Sequence, residues 1–187
     1  MTCTGVDHAS GEGFDGWYRV QHPRVLGVLV ALSGDGDLAR DATDEAFSRA
    51  FERWDRVSAM ESPSAWTHRV ALNELRRRAR RRAMEQRLRW RWVVRDDPLG
   101  VPDPQLWEAV RALPERQRQV IVLRYVSDLP EAEIATALGV TRGTVASTLS
   151  DARRRLAAVL PDHLGDDDVA PAGISAVPTQ EVHRGHT

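Results

Sequence analysis

The chain contains no lysine: all 26 basic residues among its 187 are arginine. The charge is carried entirely by planar guanidinium forks, which suit phosphate oxygens and guanine edges and stack on bases. It has one cysteine, Cys3. No disulfide framework and no cysteine-ligated zinc site can form within one chain. The longest apolar stretch, Val25 to Leu32, is far too short to span a bilayer. No basic segment followed by an apolar run opens the sequence, so no signal peptide is expected. There is no glycine-rich phosphate loop, no cysteine nucleophile and no His/Glu pair at metal-ligating helical spacing. The run Asp166–Asp168 lies in a tail of polar and small residues, where solvation is expected rather than metal binding. The expectation is a cytoplasmic protein with no membrane insertion, catalytic residue, metal, cofactor or small-molecule substrate.

What is present is charge segregation. The net charge is only -1, so the protein as a whole is not a basic polyanion glue. Between Ala71 and Arg95, however, ten arginines face only Glu74 and Glu85. After Pro161, Asp162, Asp166, Asp167, Asp168 and Glu181 face only Arg184. Such asymmetry points to a polyanion partner for the first segment and a solvated tail for the second. Opposite charge would also let the tail bind the arginine helix in cis.

The organisation is all-α: two small helical domains, a short linker and tails without structure. Residues 1–13 are small and polar. From Phe14 to residue 88 the apolar spacing is helical. "SGDGD" (Ser33–Asp37) signals a turn, with Asp37 or Asp41 as N-cap candidates for the next helix. That helix places Ala42, Ala46, Phe47, Ala50, Phe51 and Trp54 on one face and Asp41, Asp44, Glu45, Ser48 and Arg49 on the other. Ser62 caps a further helix that carries Pro63 in its first turn. This helix turns Trp66, Val70, Ala71, Leu75 and Ala79 inward and runs into the arginine block; His68 reads as a surface residue. Residues 89–102, with two prolines and a glycine, read as a linker. Residues 103–160 form the second unit, with helices opening at an Asp103–Pro104 cap, at Pro114 and at Pro130. Its longest helix carries Val145, Leu149, Ala152, Leu156 and Val159 as a buried stripe. Residues 161–187 form an acidic tail.

The strongest local signal is "EIATALGVTRGTVASTL". A short helix meets a longer one through Gly139 and Val140. Ala135 is small enough for a close crossing, Gly139 supplies the special turn geometry, Val145 plugs the angle and Thr141 caps the second helix. Together these are the physics of a helix-turn-helix. Arg142, Gly143, Thr144, Ala146, Ser147, Thr148 and Asp151 are left outward, toward a major groove or its phosphates.

The second unit, "LPERQRQVIVLRYVSDLPEAEIATALGVTRGTVASTLSDARRRL", resembles region four of the sigma-70 family of RNA polymerase initiation factors. "FDGWYRVQHPRVLGVLVALSGD", "DATDEAFSRAFERWDRV" and "SPSAWTHRVALNELRRRARR" resemble region two of the short extracytoplasmic-function (ECF) type. The resemblance covers Phe14 to Leu160. It implies a sigma factor that binds core RNA polymerase, through the β′ clamp helices and the β flap, and directs initiation at promoter DNA. It implies docking through Asp41, Asp44, Glu45 and Arg49. It implies opening and reading of the −10 element through the loop Arg56–Ser64 and the helix bearing Arg69, Asn73, Arg76, Arg77 and Arg80. It implies reading of the −35 element through Thr141, Arg142, Thr144, Ser147, Thr148 and Arg153, and a restraining anti-sigma factor. The chain departs from the family where Ala146, Thr148 and Asp151 replace residues that are usually basic, so a weaker phosphate grip is expected there. The alternative is a stand-alone helix-turn-helix repressor or activator binding DNA as a dimer, with the first unit as effector domain.

Overall fold

The computed structural model describes residues 8–88 and 103–160. The described residues form eight helices and no strand: α1 (His8–Ser33), α2 (Gly36–Phe51), α3 (Trp54–Ser58), α4 (Pro63–Leu88), α5 (Pro104–Ala112), α6 (Glu115–Tyr125), α7 (Glu131–Leu138) and α8 (Arg142–Val159). The all-α expectation holds. The expected linker at 89–102 and acidic tail at 161–187 lie outside the described residues. At the other end α1 begins at His8, ahead of the expected Phe14. Gly11 and Gly13 each disfavour helix by about 1 kcal/mol, and α1 tolerates both.

The caps explain most boundaries. Asp35 caps α2 by accepting from Leu38 N at 2.9 Å; neither Asp37 nor Asp41, the two sequence candidates, fills that role. The turn at Gly34, with φ +64, delivers the chain two residues earlier than the patterning suggested. Ser62 Oγ accepts from Ala65 N and Asp103 Oδ1 from Leu106 N, as expected. Beyond Phe51 the chain makes a turn at Glu52 and Arg53, and Trp54 opens α3 rather than ending α2.

Helices α1, α2 and α4 pack on one another, with α3 across their end; α5, α6, α7 and α8 form the second unit. The two units are not separate beads. α7 lies against α4 and α6 against α1, and one cluster of buried apolar side chains runs through both, from Val28, Leu29 and Leu72 to Ile121, Ile134 and Val145. Several inward positions shift accordingly. On α4 the buried residues are Ala65, Thr67, His68, Ala71, Leu72, Glu74 and Leu75, while Val70 is half-buried and Ala79 exposed. On α8 the stripe ends at Leu160, and Val159 is 67% exposed.

His68 is the sharpest departure from the sequence reading. It is not at the surface but fully buried. Its Nδ1 lies 2.9 Å from Ser64 O and donates to it. Its Nε2 lies 2.8 Å from Ser127 Oγ, in the loop between α6 and α7. The same hydroxyl donates to Arg24 O of α1 at 3.1 Å. One hydroxyl proton is thus shared between acceptors on two helices of the first unit, and Ser127 itself is buried. Helix phase places His68 on the stripe of Ala71, Leu72 and Leu75, at i+3, i+4 and i+7, but the group that satisfies its Nε2 lies 59 positions away.

Burial pushes the His68 imidazole down to about 4; the Ser64 carbonyl opposes that shift and the Arg24 charge adds to it. The folded value lies below the ordinary 6.5, so the unfolded chain takes up the proton first. The stability His68 contributes is complete above pH 6.5 and is lost as pH falls toward 4. The difference corresponds to about 3 kcal/mol. Denaturant unfolding of wild type and His68→Gln across this range should show a steeper acid loss in wild type by about that amount. Parallel pH profiles would contradict the assignment.

Candidate nucleic-acid interface

The arginine block of α4 divides into two sets once its partners are known. Glu74 is 2% exposed, and a buried carboxylate must be paired. Arg77 reaches it with Nε at 3.0 Å and Nη2 at 2.6 Å, and Arg78 Nε at 2.8 Å. Arg49 of α2 adds its charge at 3.7 Å. Hydrogen bonds from Arg77, then those from Arg78, hold the Glu74 carboxyl below the usual carboxylate range against the opposing effect of burial. Arg78 also bonds Asp41 of α2 at 3.1 Å, and Arg82 bonds Asp35, the α2 cap. These arginines stitch α4 to α2. Sequence reading missed Glu74; its signal was the i,i+3 and i,i+4 spacing to Arg77 and Arg78.

The other set is presented to solvent. Arg69, Asn73 and Arg80 recur at intervals of 4 and 7, so they share one exposed face of α4. Arg69 and Arg80 have no ion-pair partner among the described residues. Arg76 flanks this face, half-buried, 3.4 Å from Asn73 Oδ1 and 4.0 Å from Glu115 of α6. Trp66, at the same face's start, is half-buried against the core. Of the five expected −10 residues, the structure therefore brings four together and commits Arg77 to Glu74.

On α2, Asp41, Asp44, Ser48 and Phe51 recur at 3, 4 and 3 residues and form one exposed strip. Asp44 pairs with His22 of α1 at 3.3 Å, and Glu45 with Arg49 at 2.7 Å. Pairs this exposed contribute at most about 1 kcal/mol, so a partner can displace them. Phe51, 60% exposed, rests its ring against Phe14, centroids 5.0 Å apart. It is an apolar end to an otherwise polar strip, whereas spacing alone groups it with buried Phe47 and Ala50.

The helix-turn-helix forms as its parts require. Gly139 caps α7 with φ 67 in the left-handed region, Val145 is fully buried and Ala135 nearly so. Thr141 Oγ1 accepts from Thr144 N at 3.1 Å. Arg142, Gly143, Thr144, Ala146 and Ser147 are exposed and Thr148 is half-exposed. Arg142 touches Glu131 at 3.3 Å, and Thr148 Oγ1 donates to Thr144 O at 2.6 Å. Arg153 does not join that surface: its Nε donates to Tyr125 Oη at 2.8 Å, with the guanidinium 5.9 Å from the ring centre. Arg154 pairs with Asp151.

Residues 17–85 match the family model of sigma-70 region 2, and residues 104–156 that of sigma-70 region 4. The chain is 30% identical over 154 residues to the RNA polymerase sigma-E factor of Streptomyces antibioticus, across 79% of this chain and 86% of that protein. It belongs to the sigma-70 family, among the ECF sigma factors. It is 28% identical to the ECF RNA polymerase sigma factor SigW of Bacillus subtilis, over 84% of this chain and 94% of that protein. Its fold is that of the sigma factor RpoE of Bartonella quintana, solved in complex with the anti-sigma factor NepR: TM-score 0.68 at 23% identity, over 82% and 99% of the two chains. Sigma factors are DNA-binding regulatory subunits of transcription initiation, not catalysts. That membership replaces the alternative of a stand-alone dimeric repressor. No helix among the described residues of this sigma factor is long and apolar enough to cross a membrane.

The Glu74 cluster should be measurable in isolation. Glu74→Gln keeps the volume but removes the charge that three arginines share. It is expected to destabilise the fold by about 2 kcal/mol in urea unfolding near neutral pH. The loss should shrink as pH falls below the ordinary carboxylate value, because wild-type Glu74 then loses the same charge. A pH-independent difference would contradict the assignment.

Proposed function

We propose that this sigma factor reads the −10 element with Arg69, Asn73, Arg76 and Arg80 on α4, with Arg77 contributing once its bonds to Glu74 are exchanged for phosphate. The observation that carries this reading is the exposed face of α4, where an amide able to pair with base edges sits among guanidinium groups on one rigid helix. The loop at residues 56–64 and Trp66 lie at the start of that face, where an unstacked base would be received. The −35 element is read by Arg142, Thr144, Ser147 and Thr148, with Thr141 fixing the start of the recognition helix. Arg153 supports that helix through Tyr125 rather than contacting bases. Residues 14–88 and 103–160 act as the two functional units.

Core RNA polymerase docks on α2 through Asp41, Asp44, Glu45 and Arg49, with Phe51 as the apolar end of the strip. The partner surfaces are the β′ clamp helices for the first unit and the β flap for the second. A restraining anti-sigma factor is proposed from the likeness to a sigma factor solved with one. The chain acts in the cytoplasm, where polymerase and promoters are, and carries no catalytic activity of its own.

Reconstitution with core polymerase tests the whole reading. The expected result is co-purification and promoter-specific run-off transcription; failure of both would remove it. Within the reconstituted system, Arg69→Ala or Arg80→Ala should weaken binding similarly across sequences and lower the slope of log affinity against log salt by about 1 each. Arg142→Ala should instead relax selectivity at a −35 position by about 1–3 kcal/mol. Equal salt slopes for wild type and the α4 variants would reject the phosphate roles.

A further inference from the structure

Between α4 and the start of α6 lies a cleft of about 510 Å³. Its floor is apolar, made of Leu38, Leu72, Leu75 and Ala79, and its rim carries Arg76, Arg82 and Arg118. Asp35 and Glu115 stand among them, so three guanidinium groups face two carboxylates. Asp35 is taken by Arg82. Glu115 reaches Arg76 only at 4.0 Å and accepts a hydrogen bond from Gln119. Arg118 donates one Nη to Arg111 O at 2.8 Å, while its buried Nε has no partner among the described residues. The rim therefore holds donors in excess over an apolar floor. An occupant that matches it brings carboxylates and small apolar side chains together.

The chain holds such a segment. "LGDDDV", Leu164 to Val169, has three consecutive aspartates between two aliphatic residues. The linker at 89–102 also carries two aspartates, Asp96 and Asp97, but against Arg89, Arg91 and Arg95 its net charge is +1, where that of Leu164–Val169 is -3. A nucleic-acid strand would bring phosphate and base faces, but it is not tethered beside the cleft as the tail is. Reach also favours the tail. Leu160, from which it departs, is buried, and Ala158 in the last turn of α8 shares a shallow depression with Gln117 of α6. The neighbouring Glu115 and Arg118 line the cleft. The end of α8 thus lies against α6, the helix that lines the cleft with Glu115 and Arg118. The six residues from Leu160 to Asp166 can extend to about 20 Å.

We infer that the acidic segment around Asp166–Asp168 seats in cis in the cleft between α4 and α6, its carboxylates on Arg76, Arg82 and Arg118 and its aliphatic residues over Leu72 and Leu75. This contact does not depend on how the chain reads DNA. If both hold, the tail and promoter phosphates compete for Arg76.

The test uses the full chain with Cys3→Ser and a nitroxide on Ala170→Cys, observed by amide relaxation in solution. The expected result is at least threefold greater paramagnetic broadening at Leu72, Leu75, Ala79 and Arg118 than at exposed amides of α2. It should fall to the α2 level in Asp166→Asn/Asp167→Asn/Asp168→Asn and at raised salt. Broadening spread evenly, centred elsewhere, or unchanged by the triple substitution overturns the inference. Spin-labelled chain mixed with isotope-labelled, unlabelled-spin chain separates the remaining case. Cleft broadening that appears in the mixture as strongly as within one molecule means that a second copy supplies the tail, and overturns the contact in cis. These substitutions lie outside the described helices and their shared core, so none of the outcomes turns on whether that core survives.

Discussion

A carboxylate buried on the most basic of the described helices dictates where two of that helix's arginines, Arg77 and Arg78, go. Glu74 is removed from water, and an ionised carboxyl there is tolerable only with charged donors around it. Arg77 and Arg78 supply them from the same helix and Arg49 from α2. Arg78 then continues to Asp41, and Arg82 holds the aspartate that caps α2. The seam between α2 and α4 is thus tied electrostatically along its length. Asp41 and Arg49 of the surface proposed to dock polymerase take part in that seam, and α4, the helix proposed to read DNA, forms its other wall. Their relative placement depends on it.

The same pairing selects which arginines remain for nucleic acid. A guanidinium already bound bidentately to a buried carboxylate has to give up strong, charge-assisted bonds before it can meet a phosphate. Arg69 and Arg80 face no such exchange. A count of arginines therefore overstates the grip of α4, and their phase around the helix describes it better. On α8 the logic is similar at smaller scale: Arg153 is drawn onto Tyr125 and Arg154 onto Asp151, leaving a recognition surface with Arg142 as its main charge.

The helix-turn-helix was legible in the linear chain because its determinants are local. A small residue, a glycine able to take positive φ, a plug and a cap all fall within eleven residues, Ala135 to Val145, and each acts on near neighbours. The α2 strip and the α4 reading face were legible for a related reason, since a regular helix converts spacing into direction. Where spacing met tertiary contacts it failed. Phe51 lies beyond the cover of the core, Val159 is replaced by Leu160 at the end of its stripe, and Asp35 caps α2 ahead of both expected aspartates.

What the sequence by itself determined is the all-α class, the caps at Ser62, Asp103 and Thr141, and the helix-turn-helix in an arginine-rich, lysine-free chain. All of these follow from interactions spanning a few residues. Only the tertiary structure decided that the two units share a core, that His68 is sealed inside by Ser127, and that Glu74 divides the arginines into those that hold the fold and those that face outward. Each of these depends on groups far apart in the chain, whose mutual burial changes the free energy of a charge or a ring nitrogen. That cost depends on what surrounds the group in space, and no local spacing records it.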